Sequence, residues 1–156
     1  INTREDAEAF VAACRYAPVG MRSFGPTRAM FYAGTDYAKH ANDTILTLAM
    51  IETKQSLDNV EAIVSTPGLN GIYIGPSDLS LSMGYTPKLD QTEQAVVEAI
   101  NKILKAAKNA GIRAGIHCLE PAYAKSMIEQ GFDLVTIGSD IRLLGAMAAQ
   151  SVKDTK

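Results

Sequence analysis

The segment Gly71-Ile72-Tyr73-Ile74-Gly75-Pro76-Ser77-Asp78-Leu79-Ser80 decides the fold. An apolar run stops at Gly-Pro, and an acid follows within one turn. A parallel strand that hands directly into a helix reads this way. Upstream, Met50-Ile51-Glu52-Thr53 repeats the pattern: an apolar run, a carboxylate, then a turn. Two such strands separated by a helix would set Glu52 and Asp78 side by side at one mouth of an α/β fold. Two adjacent carboxylates with no Cys or His between them suit a hard divalent cation such as Mg²⁺ or Mn²⁺. The competing reading of Asp78 is a helix-capping acid.

Working outward, helical periodicity runs from Arg4 to Cys14, with Ala7, Phe10, Val11 and Cys14 on one stripe. Asn2-Thr3 ahead of Glu5-Asp6 supplies a polar cap and an acidic first turn. The segment Arg15 to Ala41 holds Pro18, Gly20, Gly25, Pro26 and Gly34 among five aromatic residues, and reads as one long loop, a lid or an interface arm. A buried strand is expected over Thr44–Ile51, a helix over Ser56–Ser65, a strand over Gly71–Ile74 and a short helix over Pro76–Met83. A strongly amphipathic helix follows over Thr92–Asn109, closed by Gly111. The remaining expectations are a strand over Arg113–Leu119, a helix over Pro121–Gln130, a strand over Leu134–Ile137 and a helix over Ile141–Val152. Alternating β and α elements imply a parallel sheet with right-handed crossovers. The pattern fits an open doubly wound sheet or part of a (β/α)₈ barrel, which usually takes about 250 residues. A single domain over residues 1–156 is the expectation. An unclosed barrel would leave its inner face exposed and apolar, and so implies a homo-oligomer.

In either architecture chemistry gathers at the carboxyl ends of the strands. Those ends present Glu52, then Gly75-Pro76-Ser77-Asp78, then His117-Cys118-Leu119-Glu120, then Gly138-Ser139-Asp140. Asp140 and Glu120 read as helix-capping acids. Amides at a turn that opens a helix face anions; Pro76 has none, so Ser77 and Asp78 are the donors, suited to the carboxylate of a small keto acid. His117 at a strand end and His40 in the long loop read as structural histidines before catalytic ones, and no catalytic base is assigned. No G-x-G-x-x-G or Walker loop follows any strand, which weakens a nucleotide-binding reading.

A net charge of −2 points to neither nucleic acid nor a membrane surface as partner. No apolar run reaches about 18 residues, no signal peptide is visible, and the cytoplasm is the default setting. Cys14 and Cys118 form no C-x-x-C pair and read as two reduced thiols. Ile1, not Met, opens the chain at what reads as a strand end, so the chain is expected to be part of a longer gene product.

These residues resemble the HpcH/HpaI aldolase family, the metal-dependent pyruvate aldolases related to citrate lyase β and malyl-CoA lyase. The matching stretches are Arg15-Tyr16-Ala17-Pro18-Val19-Gly20-Met21-Arg22, Ile51-Glu52-Thr53, Gly71 to Ser80 with Met83-Gly84, Gly111 to Gly115, and Ile137 to Leu144. The Gly-Pro-x-Asp strand end is the specific one. The resemblance implies the carboxyl-terminal half of a TIM barrel, with Glu52 and Asp78 as ligands of Mg²⁺, Mn²⁺ or Co²⁺. It implies Gly75, Ser77 and Asp78 as substrate-binding positions, with the Ser77 amide on the keto-acid carboxylate. The implied reaction cleaves a 4-hydroxy-2-oxo acid to pyruvate and an aldehyde, and the implied assembly is a homo-oligomer in which the last helix packs on a neighbour. The sequence departs from the family's usual pattern at Met50, where many members carry Gln, and at Ser23, where Gly is usual. The family's catalytic His and substrate-binding Arg belong to the amino-terminal half, so weak turnover is expected of this chain alone. A CoA-thioester lyase and an inactive, self-associating half barrel are the alternatives.

Overall fold

The computed structural model describes residues 1–155. Helix α1 (Arg4–Cys14) opens on a capping box in which Thr3 and Asp6 satisfy each other's backbone amides. The amides of Asn2 and Thr3 hold the Asp6 carboxyl below its usual range. Next come α2 (Thr27–Ala33), α3 (Tyr37–Thr44), β1 (Leu48–Ile51), α4 (Lys54–Asp58), α5 (Val60–Val64), β2 (Gly71–Ile74) and α6 (Pro76–Ser82). The chain continues through α7 (Gln94–Asn109), β3 (Arg113–Cys118), α8 (Pro121–Gln130), β4 (Leu134–Ile137) and α9 (Asp140–Asp154).

Three expected boundaries change. The aromatic segment is not one loop, because α2 and α3 occupy much of it. Its aromatic residues obscured the helical spacing: Phe31 and Tyr32 of α2 are solvent-exposed, and α2 buries no residue. The preceding turn is cinched by a bridge between Tyr16 and Arg22, whose guanidinium lies 4.6 Å from the centroid of the Tyr16 ring. The strand expected from Thr44 begins only at Leu48, since Thr44 ends α3. The helix expected over Ser56–Ser65 is two short helices broken at Asn59, whose side chain donates to the Asn2 carbonyl.

The four strands are parallel and run in sequence order, β1-β2-β3-β4. Ile51 pairs with Ile74, Ile74 with Ile116, and Ile116 with Val135. Because strand side chains alternate, this row and the row of Ala49, Ile72 and Ala114 face one side. Ala49, Ile51, Ile72, Ile74, Ala114 and Ile116 are fully buried there, beneath the apolar stripes of α5, α6 and α7. Burying each isoleucine side chain stabilises the fold by about 1.5–3 kcal/mol.

The opposite face carries Leu48, Met50, Tyr73, Gly115, His117, Leu134 and Thr136. It was expected to be apolar. It is mixed instead: Leu134 and Met50 are exposed, and the carboxyl-terminal ends are polar, with Glu52, His117 and Thr136. Helix α9 buries none of its residues and leaves Ile141, Leu143, Leu144, Met147 and Val152 exposed. Among the described residues, no helix is long and apolar enough to cross a membrane.

Candidate functional site

Glu52 is the first residue beyond β1, and Asp78 lies in the first turn of α6, just beyond β2. The β1–β2 pairing therefore brings the two acids to the same end of adjacent strands. The Glu52 side chain lies across Gly75: a Cβ built on Gly75 would sit 2.8 Å from Glu52 Oε2 and 3.2 Å from Glu52 Cβ. Gly75 has φ −97° and ψ 90°, backbone that any residue adopts, so its missing side chain serves the carboxylate and not the turn. Among the described residues, neither Glu52 nor Asp78 joins an ion pair. Glu52 is half-buried and Asp78 exposed. Two acids without cationic partners, at one strand mouth, form an oxygen donor set suited to a hard cation. No group of three or more His, Cys, Asp or Glu side chains placed to hold an ion occurs among the described residues. Any ion here must draw the rest of its shell from groups outside these residues.

Pro76 opens α6 at its first position, where a missing N–H costs nothing. The amides of Ser77 and Asp78 follow, and first-turn amides lack intrahelical acceptors. Ser77 offers its carbonyl to Ser80 Oγ at 2.8 Å, which braces the turn. Leu79, fully buried, anchors α6 to the core.

His117 does not stand alone. Its Nδ1 lies 2.6 Å from Thr136 Oγ1 and 3.3 Å from the Tyr73 hydroxyl, and that hydroxyl also hydrogen-bonds Thr136. Gly115 makes this possible, since a Cβ there would sit 2.7 Å from Tyr73 Cδ2. The Tyr73 ring thus crosses β3 to reach β4. His40 is remote from this mouth, exposed on α3 and 3.5 Å from Asp36.

Both acids sit where a helix-start reading puts them, Glu120 at the N-cap of α8 and Asp140 in the first turn of α9. Glu120 occupies the N-cap position of α8 but makes no capping bond through its side chain. Asp90 does that work from the α6–α7 connection, accepting from the amides of Leu119 at 2.7 Å and Glu120 at 2.9 Å. Asp140 accepts from the amide of Ile141 at 2.7 Å. Cys118 is buried with a free thiol, and burial, with the charge of Asp90, pushes its pKa up to about 11. That thiol stays protonated at neutral pH and is no nucleophile. A separate surface hollow between α5 and α7, lined by Glu61, Lys102 and Lys105, lies away from the strand ends.

Consecutive parallel βα units with acids at the strand ends define a portion of a TIM-barrel-like α/β scaffold. A family model described as HpcH/HpaI aldolase/citrate lyase matches residues 1–146. The chain belongs to the HpcH/HpaI aldolase/citrate lyase family. It is 40% identical over 156 residues to a hydroxypyruvate/pyruvate aldolase of Rhizorhabdus wittichii, an alignment covering 100% of this chain and 62% of that relative. It is 36% identical over 157 residues to a 5-keto-4-deoxy-D-glucarate aldolase of Escherichia coli, covering 99% of this chain and 60% of the relative. Among solved structures it superposes on an HpcH/HpaI aldolase/citrate lyase family protein from Burkholderia cenocepacia with a TM-score of 0.86 at 29% identity, covering 99% of this chain and 62% of that one. The chain thus spans about three-fifths of the length of the relatives it matches.

Proposed function

We propose that the protein is a divalent-metal-dependent carbon–carbon lyase. It would cleave a 4-hydroxy-2-oxo acid to pyruvate and an aldehyde, or join the two in reverse. The observation that carries this reading is the pair of acids at adjacent strand ends, neither in an ion pair, with Glu52 lying over a position that has no side chain. The names of two relatives, both aldolases acting on keto acids, support it.

In this reading Glu52 and Asp78 hold Mg²⁺, Mn²⁺ or Co²⁺. Bound there, the ion supplies Lewis-acid polarisation of a keto oxygen and favours the enolate. The chain's own residues bind and orient. The Ser77 and Asp78 amides donate to the keto-acid carboxylate, and Gly75 leaves room for the Glu52 side chain beside them. Two carboxylates alone bind such an ion weakly and exchangeably.

The test is Mn²⁺ titration followed by magnetic resonance, with deuterium uptake into the methyl group of pyruvate as a second readout. One Mn²⁺ site and metal-dependent uptake are expected. The Glu52→Gln/Asp78→Asn double variant should lose both. Wild-type binding in that variant would remove the proposed site.

The exposed apolar residues of α9 support an oligomer as the working form.

A further inference from the structure

The polar cluster on the inner face of the sheet has no counterpart in the chemistry assigned so far. Tyr73, His117 and Thr136 come from three different strands, 44, 63 and 19 residues apart pairwise, and meet around one imidazole nitrogen. They lie on the same face and toward the same end as Glu52. The register fixes this: Ile51, Ile74 and Ile116 pair in a row, and one residue further along come Glu52, Gly75 and His117. His117 in turn pairs with Thr136. Between the acid and the imidazole stands only Gly75, which has no side chain.

The protons in this cluster can be assigned. The phenol is the strongest donor of the three groups, and a bare imidazole nitrogen is the strongest acceptor. The longest contact, at 3.3 Å, is the one between Tyr73 and His117 Nδ1. In the arrangement these strengths favour, the Tyr73 hydroxyl donates to Thr136 Oγ1 and the Thr136 hydroxyl donates to His117 Nδ1. That places the ring proton on Nε2. Among the described residues, Nε2 has no hydrogen-bond partner and is not among the buried atoms left unpaired. His117 itself is half-buried. The result is an oriented N–H donor at the mouth of the sheet, with its ring held from behind by two hydroxyls.

We infer that His117 Nε2–H, positioned by Tyr73 and Thr136, hydrogen-bonds a hydroxyl oxygen of the aldehyde partner and selects hydroxyaldehydes over aliphatic aldehydes. This rests on the aldolase reading above. The keto acid occupies the β1–β2 side, where Glu52 and the amides of Ser77 and Asp78 lie. His117 and Thr136 lie on the β3–β4 side, across the gap that Gly75 leaves, where the second substrate must approach. A donor held in place rewards an oxygen and gains nothing from a methyl group of the same size. His117 is thus a specificity residue, and Tyr73 and Thr136 are positioning residues.

Glycolaldehyde and propanal test this, because they differ by a hydroxyl exchanged for a methyl. The measurement is kcat/KM for addition of each to pyruvate, by the longest form the gene encodes, with the ratio taken within each variant so that a general loss of activity cancels. Replacing His117 by Leu should lower the glycolaldehyde preference about tenfold, the size of one well-made hydrogen bond. His117→Asn, which keeps an N–H donor, should recover part of it. Thr136→Val should lower it by a smaller factor, and carries the test if the Leu variant does not fold. A ratio within twofold of wild type in both His117→Leu and Thr136→Val overturns the inference. Deuterium exchange into pyruvate by the wild-type protein keeps the two ideas separate. Exchange with an unmoved ratio sinks the role of His117 alone, whereas no exchange sinks the aldolase reading and this inference with it.

Discussion

Replacing Gly75 by Ala should weaken metal binding at least about tenfold while leaving the fold intact. The added Cβ would meet Glu52 Oε2 at 2.8 Å, Glu52 Cβ at 3.2 Å and Met50 Sδ at 3.6 Å. An ordinary carbon–oxygen contact needs about 3.4 Å, so the carboxylate must retreat by about half an ångström or swing to another rotamer. Metal ligands tolerate displacements of only about 0.2 Å. Losing one of two protein ligands should weaken Mn²⁺ binding by at least about tenfold. Stability responds differently. The Gly75 backbone suits alanine, and the substitution restricts the unfolded chain, a gain of about 0.4–1 kcal/mol. The contact with Glu52 Cβ offsets that gain, and the closest atom is the mobile end of a side chain. The melting temperature should therefore move by no more than a few degrees. Gly71→Ala is the contrast: its Cβ would sit 2.6 Å from the backbone oxygen of Arg113, which cannot swing aside. That variant should lose stability outright. Thermal unfolding and Mn²⁺ titration on the two variants separate the effects. Wild-type Mn²⁺ affinity in Gly75→Ala would show that the Glu52 carboxylate is not a ligand where it stands.

Two further outcomes follow from other parts of the molecule. Asp133 receives Lys108 Nζ at 2.6 Å, Arg113 at 2.9 Å and the amide of Ala114 at 2.9 Å, and the Lys108 contact leads in lowering its pKa to about 2. A lowered folded-state value means stability that is present above the ordinary carboxylate range and lost as pH falls through about 2, so Asp133→Asn should cost about 1 kcal/mol at pH 7 once solvent screening of the two cations is counted, with the deficit closing between about pH 4 and pH 2 in urea melts. Light scattering at micromolar concentration should give a mass that is a multiple of 16.7 kDa, because α9 leaves its apolar residues uncovered; a stable monomer would contradict this.

Much of the architecture was legible because the strands announce themselves. Gly71–Ile74 and Leu134–Ile137 are apolar runs bounded by Gly, Pro or Asp, and Pro121 and Gly131 bracket α8, the latter with φ 105°. Ile45 to Thr47 misled for the same reason. Ile45 and Thr47 are β-branched and Leu46 is apolar, yet Thr47 spends its side chain on Gly68 and Asn70 instead of extending the strand. The acids Glu52 and Asp78 were legible from their place at strand ends. Asp90 was not, since its two amide partners lie 29 and 30 residues away and nothing local marks it. The partners of His117 were hidden as well. Alternation assigns Tyr73, His117 and Thr136 to one face, but only the strand register shows that they meet.

Two of the three glycines on the inner face, Gly75 and Gly115, explain why that register matters. On the outer face the positions are filled by aliphatic side chains and the buried thiol of Cys118, and the helices press on it, so the strands cannot shift relative to one another without opening cavities. On the inner face Gly75 and Gly115 leave gaps, and a neighbouring side chain lies across each. Glu52 crosses from β1 over Gly75, and Tyr73 crosses from β2 over Gly115. Both side chains lean the same way across the sheet, toward β4. The acid is thereby drawn over the strand that leads into Asp78, and the phenol is delivered to His117 and Thr136. A side chain at either glycine would return its neighbour to its own strand and separate groups that act together. The chemistry proposed for this face thus depends on two missing side chains as much as on the acids and the imidazole, with the rigid apolar layer behind them holding the strands in register.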